Sequence, residues 1–237
     1  MPTPRPLATV ERAIRILDVL ADASADLGNN EIARRAGVNV STVSRMLTTL
    51  VDAALVRRVA ETGRYRLGPR LVELGNAALA RIGLREIARQ HLVALTGATG
   101  ETATLSVPGE RAVLTIDFEQ SPSSVRSVAE LGRQAVLHAT SIGKVYLAHG
   151  GELSPGPLAS CTQRTIVDRE TLAAELARIR ARGWAEAVGE REEEMNAVAV
   201  PIVDNGGTLT GVLGLQGPAA RFGARARRSA VEELLRH

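Results

Sequence analysis

Residues 31–50 read EIARRAGVNVSTVSRMLTTL, and the folding of this stretch decides how the chain is organised. A helical pattern stops at Ala36, and Gly37 suits the left-handed conformation that ends helices. Asn39 is a good N-cap for a second helix, from about Val40 to Ala53. On that helix Val43, Met46 or Leu47, and Leu50 recur at helical spacing, while Ser41, Thr42, Arg45, Thr48 and Thr49 fall on the other face. Two short helices around a tight turn are the layout of a helix-turn-helix. A major groove about 12 Å wide admits one α-helix. Val43, Leu47 and Leu50 would hold that helix from behind. Ser41, Thr42, Arg45 and Thr49 would meet the bases.

The flanks extend this reading. Residues 1–8 form a Pro-rich tail expected to be disordered. Thr9 is placed to cap a helix from about Val10 to Ala23, with Ile14, Leu17, Val19 and Leu20 mostly on one face. Asn30 is placed to cap the next helix, Glu31 to about Ala36. Downstream, Leu55–Arg58 and Arg64–Leu67 read as two strands around the turn Glu61-Thr62-Gly63. Arg57, Arg58, Arg64 and Arg66 put four cations on this ribbon. Beside a helix-turn-helix such a ribbon is a wing, and its arginines are expected on backbone phosphate. Tyr65 is expected to pack at its base.

Charge supports a polyanionic partner for this region. The net charge is +3. Residues 1–70 hold 11 Arg against 7 acids, so the surplus lies in the first third. Of the 29 basic residues only Lys144 is lysine, an Arg bias that runs the whole chain and reads as coding composition. The single cysteine, Cys161, excludes an intrachain disulfide and reads as a small apolar side chain. No stretch reaches about 18 uninterrupted apolar residues, and the N-terminus has no signal-peptide pattern. A cytoplasmic location without membrane contact is expected.

Gly68-Pro69 marks a boundary. Residues 69–84 are expected to form a linking helix, which Gly75 and Gly83 would soften, between a DNA-binding domain at 9–68 and a second domain at 85–237. In the second domain TATLSV, AVLTIDF, NAVAVPIV and TLTGVLGLQ read as strands. Helices are expected near Ser141–His149, Thr171–Arg182 and Ala220–Arg236. The expectation is an α+β fold with an antiparallel sheet.

A pocket is legible in this domain. HATSIGK begins a helix whose free N–H groups, around Ser141, Ile142 and Gly143, would welcome a carboxylate. Ala197, Gly214 and Gln216 lie on strands and leave space. His138 reads as a satisfied structural histidine. Lys144 reads as a cap-region ion pair or a surface group, and the run EREEE at 190–194 as a solvated face. The four histidines show no metal-ligand spacing, and neither a metal nor a cofactor is expected.

Taken in order, ERAIRILDVLA, NEIARRAGVNVSTVSRMLTTLVDAALVRR, GRYRLGPRLVELG, LHATSIGKVYLA, TQRTI, RGWAEAVGE and AVAVPIVDNGGTLTGVLGLQGPAARF resemble the IclR family of bacterial transcriptional regulators. The resemblance covers nearly the whole chain. It implies a winged helix-turn-helix joined to a GAF-like effector-binding domain. It also implies a dimer formed through the DNA-binding part, able to pair again into a tetramer, on a short double-stranded operator. It places a ligand carboxylate at Ser141 and Ile142, with Ala187, Ala197, Gly214 and Gln216 around it. Ser127, Leu131, Ala135 and Met195 would line the apolar part, and Glu190 would face the ligand. Family members often carry Asp where this chain has Ala187, and Cys or Ser where it has Ala197, Gly214 and Gln216. A pocket poorer in hydrogen-bonding groups and larger in volume is therefore expected. It would take a larger or more apolar acid, or hold no ligand tightly. Two other classes stay open: an adaptor that contacts protein instead of DNA, and a small-molecule enzyme, for which no Ser/His/Asp spacing, phosphate loop or metal cluster is visible.

Overall fold

The computed structural model describes residues 7–80, 83–109, 112–132 and 135–237. The Pro-rich tail up to residue 6 lies outside them. The chain divides into two compact units, residues 1–81 and 82–237.

In the first unit three helices precede a two-stranded ribbon and a fourth helix: α1 Ala8–Ala21, α2 Asn29–Ala36, α3 Val40–Asp52, β1 Val56–Arg58, β2 Tyr65–Leu67 and α4 Arg70–Ala80. Ile16, Leu20, Ile32, Val43, Leu47, Leu50 and Val56 close one core. Each such fully buried side chain contributes roughly 1.5–3 kcal/mol. Gly37 takes φ 63°, ψ 34° and ends α2. Asn39 caps α3, its side chain accepting from the Thr42 N–H at 2.9 Å, worth about 1 kcal/mol. The two short helices are thus fixed by their caps as well as by packing.

Three local expectations need correction. Helix α1 starts at Ala8 after Leu7, so Thr9 is inside it and caps nothing. Helix α2 starts at Asn29 after Gly28, which leaves Asn30 in the first turn. Ile14 faces outward, and Ile16 takes the buried place beside Leu20. In each case the apolar contact of the three-helix core sets the register and overrides the local signal.

The second unit runs α5 Leu84–Thr99, β3 Thr102–Pro108, β4 Val113–Glu119, α6 Ser141–Ala148, α7 Arg169–Arg182, β5 Ala185–Val188, β6 Met195–Val203, β7 Leu209–Pro218 and α8 Ala224–Leu234. Its five strands form one antiparallel sheet in the order β4-β3-β7-β6-β5. Alternation splits the sheet into two faces. Ala185, Ala199 and Val212 pack with Val145 of α6 and Leu172 and Ile179 of α7. Helices α5 and α8 contact each other and the sheet, α5 at β3 and β4, α8 at β6. Strand β5 has four residues and one acid, and no alternation announced it. Among the described residues no helix is long and apolar enough to cross a membrane.

Candidate functional site

The first candidate surface is the outer face of α3. Ser41, Arg45 and Thr49 are exposed and Thr42 is half-buried, while Val43, Leu47 and Leu50 face the core. The face is partly pre-ordered. The Ser41 hydroxyl donates to Asn39 Oδ1 at 2.9 Å, and the Thr49 hydroxyl to the Arg45 carbonyl at 3.3 Å. The Arg45 guanidinium has no partner among the described residues. Short polar side chains and one free cation on a helix held from behind are what groove reading requires.

The ribbon divides its four arginines. Arg57 lies opposite Arg66 and Arg58 opposite Tyr65. Leu27 adds a third short segment, exchanging backbone hydrogen bonds with Tyr65 at 3.0 and 2.8 Å. Tyr65 packs against the helical core. Arg57 and Arg58 are exposed, and their side chains have no partner among the described residues. Arg64 and Arg66 do not match the expectation of four free cations. Arg66 pairs with Asp26 at 2.6 Å, and Arg64 donates to the Asp26 carbonyl at 2.7 Å with Glu31 4.0 Å away. Two arginines thus tie the ribbon to the segment before α2, and two face outward.

The second candidate is a cavity of about 340 Å³ between the start of α6 and the sheet. Thr140 caps α6, and its hydroxyl accepts from the Gly143 N–H at 3.2 Å. This leaves the N–H groups of Ser141 and Ile142 without an acceptor among the described residues. Both residues line the cavity. The strands contribute Ala187, Met195, Ala197, Gly214 and Gln216, and the segment before α6 contributes Ser127 and Ala135. That segment is pinned from outside. Arg221 donates to the Val125 carbonyl at 2.6 Å while it holds the buried Glu101 at 2.6 and 2.8 Å. The Glu101 carboxylate raises the Arg221 pKa further above its ordinary value.

Two residues expected at the ligand are elsewhere. Gly143 does not line the cavity, and its N–H already serves the cap. It is glycine because a Cβ there would come within 2.4 Å of the Leu137 carbonyl oxygen. Leu131 is 55% exposed and outside the cavity, because it leads into a turn at Gly132 whose N–H is bonded to Thr115.

The cavity walls combine apolar and polar groups. Thr104, Thr115, Ser127 and Glu190 bring polar groups to the walls. Gly214 leaves no spare space: its missing Cβ would sit 2.9 Å from Thr104 Oγ1 and 3.1 Å from Ile142 Cγ2. Lys144 is not at the surface. It is 1% exposed, and its ammonium donates to Glu190 Oε1 at 2.7 Å and the Glu186 carbonyl at 2.8 Å. Glu190 is buried, whereas Glu192, Glu193 and Glu194 of the same run are exposed. His138 is satisfied at the Ala159 carbonyl, 2.8 Å away. Cys161 is exposed, not packed. Among the described residues no group of three or more His, Cys, Asp or Glu could hold a metal ion.

Both units match domains of known proteins. Residues 9–60 match the IclR helix-turn-helix domain, and residues 76–237 match the bacterial transcriptional regulator IclR C-terminal domain. The chain is 34% identical over 235 residues to the HTH-type transcriptional regulator BhcR of Paracoccus denitrificans, covering 97% of this chain and 84% of that one. It is 31% identical over 215 residues to the regulator XynR of Escherichia coli, covering 88% and 85%. Among solved structures, an IclR transcriptional regulator from Silicibacter sp. TM1040 superposes with a TM-score of 0.85 at 26% identity, over 96% of this chain and 92% of that one. An IclR homologue from Microbacterium hydrocarbonoxydans, complexed with 4-hydroxybenzoate, gives a TM-score of 0.76 at 26% identity, over 96% and 98%.

Proposed function

The chain belongs to the IclR family of bacterial transcriptional regulators, and from that premise we propose which of its residues read DNA and which receive the effector. It is a DNA-binding regulator, not an enzyme. The observation that carries the proposal is the outer face of α3, whose Arg45 is exposed and unpaired beside the outward Arg57 and Arg58 of the ribbon. Ser41, Thr42, Arg45 and Thr49 meet base edges, and Arg57 and Arg58 meet phosphate. Arg64 and Arg66 hold the ribbon in place. A homodimer forms through the first unit, supported by the exposed Val10 and Ile14 along one side of α1 and by Leu7 just before it.

The effector is an organic or aromatic acid in the cavity below α6. Its carboxylate accepts from the N–H groups of Ser141 and Ile142, where the helix N-terminus favours an anion. The neighbouring structure with 4-hydroxybenzoate supports an acid of this size. Binding changes operator affinity through the linking helix α4 and Gly83, which precedes α5 and takes φ 60°.

The test is binding of the full chain to its own upstream intergenic duplex, with and without candidate acids. Saturable binding that weakens steeply between about 50 and 200 mM salt is expected, because neutralised phosphates release counterions. Salt-independent binding, or no binding, refutes the assignment.

A further inference from the structure

The cavity offers donors on one wall and an acceptor on another. The donors are the two free N–H groups of α6. The acceptor is Glu190, which is 8% exposed and lines the cavity. Its Oε1 is occupied, accepting from Lys144 Nζ at 2.7 Å and from the Val188 N–H at 3.3 Å. Its Oε2 is buried and has no hydrogen-bond partner among the described residues. A buried acceptor without a partner carries its desolvation penalty uncompensated.

A second lining residue, Asn196, also has a buried oxygen without a partner, Oδ1, and of these two acceptors Glu190 is the charged and stronger one. Thr115 is within hydrogen-bond distance of Ser106 at 3.3 Å, and the Thr104 hydroxyl points to the Gly214 carbonyl at 3.5 Å. Ala187, Ala197 and Gly214 have no polar side chain. A carboxylate ion-paired to an ammonium accepts hydrogen bonds and donates none. Its charge is already balanced by Lys144, so it calls for a neutral donor and not for a second cation.

We infer that the effector is a hydroxy acid, its hydroxyl donating to Glu190 Oε2, and that Glu190 selects hydroxy acids over their deoxy counterparts. This rests on the reading of the cavity as the effector site. A carboxylate without a hydroxyl leaves Oε2 unsatisfied, and a site built to pair a hydroxyl rejects analogues that lack it.

The test measures dissociation constants of the full chain by calorimetry for three matched pairs: 4-hydroxybenzoate and benzoate, 4-hydroxyphenylacetate and phenylacetate, 3-hydroxybutyrate and butyrate. In at least one pair the hydroxy acid should bind about tenfold tighter or more, as one satisfied hydrogen bond to a charged group implies. In the double variant Lys144→Met with Glu190→Met, which leaves neither donor nor acceptor at that position, the preference should vanish while the deoxy acid still binds. Equal affinities within every pair that binds overturn the inference and leave the effector site standing. A preference that survives in the double variant also overturns it. If none of the six acids binds, the effector-site reading fails and the inference falls with it. Should the double variant not fold, 4-methoxybenzoate decides on the native chain: it keeps the oxygen and lacks the hydrogen, so binding equal to that of 4-hydroxybenzoate overturns the inference.

Discussion

Replacing Lys144 by Met tests the packing around the cavity most severely. The ammonium is almost wholly enclosed and holds Glu190 at 2.7 Å and the Glu186 carbonyl at 2.8 Å. Met matches its length and removes its charge, so Glu190 is left buried with only the Val188 N–H on Oε1. Stranding one member of a buried ion pair costs about 3–5 kcal/mol. In a unit spanning residues 82–237 each kcal/mol moves the melting temperature by roughly 2–4 °C. A loss of about 6–20 °C is therefore expected in a thermal melt followed by circular dichroism. Removing both charges, as Lys144→Met with Glu190→Met, should recover at least half of it, since an apolar pair of similar volume is often no worse than the ion pair. The double-mutant cycle should show a coupling of about 1 kcal/mol or more. A loss below about 1 kcal/mol for Lys144→Met, or strict additivity of the two single variants, would refute the reasoning.

Three further outcomes follow from the ribbon and from the cap of α7. Substituting Arg57 and Arg58 by Ala should lower the slope of log affinity against log salt by about 1.8 per protomer, two phosphates at about 0.9 each. Arg66→Ala, which breaks an exposed pair with Asp26, should leave that slope unchanged and cost at most about 1 kcal/mol of stability. At α7 the backbone N–H of Thr171, and then its side chain, hold the Asp168 carboxyl below its ordinary value of 3.8. A depressed folded-state value means that this cap stabilises above the unfolded value and fails as pH falls through the folded one. Asp168→Asn should therefore melt with a smaller loss of stability on acidification below about pH 4 than the native chain.

The sequence was most readable where local rules decide. Gly37 and Asn39 announced the turn and the start of α3 because caps act within one helical turn. The ribbon was visible because Glu61-Thr62-Gly63 supplies its turn. The misses are long-range. Asp26 captures Arg64 and Arg66 from 38 and 40 residues away, which no local pattern encodes. Lys144 and Glu190 meet across 46 residues, so neither the burial of the lysine nor the departure of Glu190 from its exposed neighbours could be read from the run. Gly143 and Gly214 suggested a free N–H and open space. Each instead admits close contact, with Leu137 in one case and with Thr104 and Ile142 in the other. Such contacts depend on which segments the tertiary fold brings together, and sequence spacing does not show this.

Arg45 bears the central claim most directly, because it is exposed and unpaired and its loss leaves the core of the first unit intact. The decisive measurement is the affinity of Arg45→Ala for the footprinted operator and for a scrambled duplex at one fixed salt concentration. The account predicts a loss on the operator of about 1–3 kcal/mol per half-site, roughly 5- to 150-fold, and a much smaller change on the scrambled duplex. Equal changes on both duplexes, or none on the operator, would contradict it.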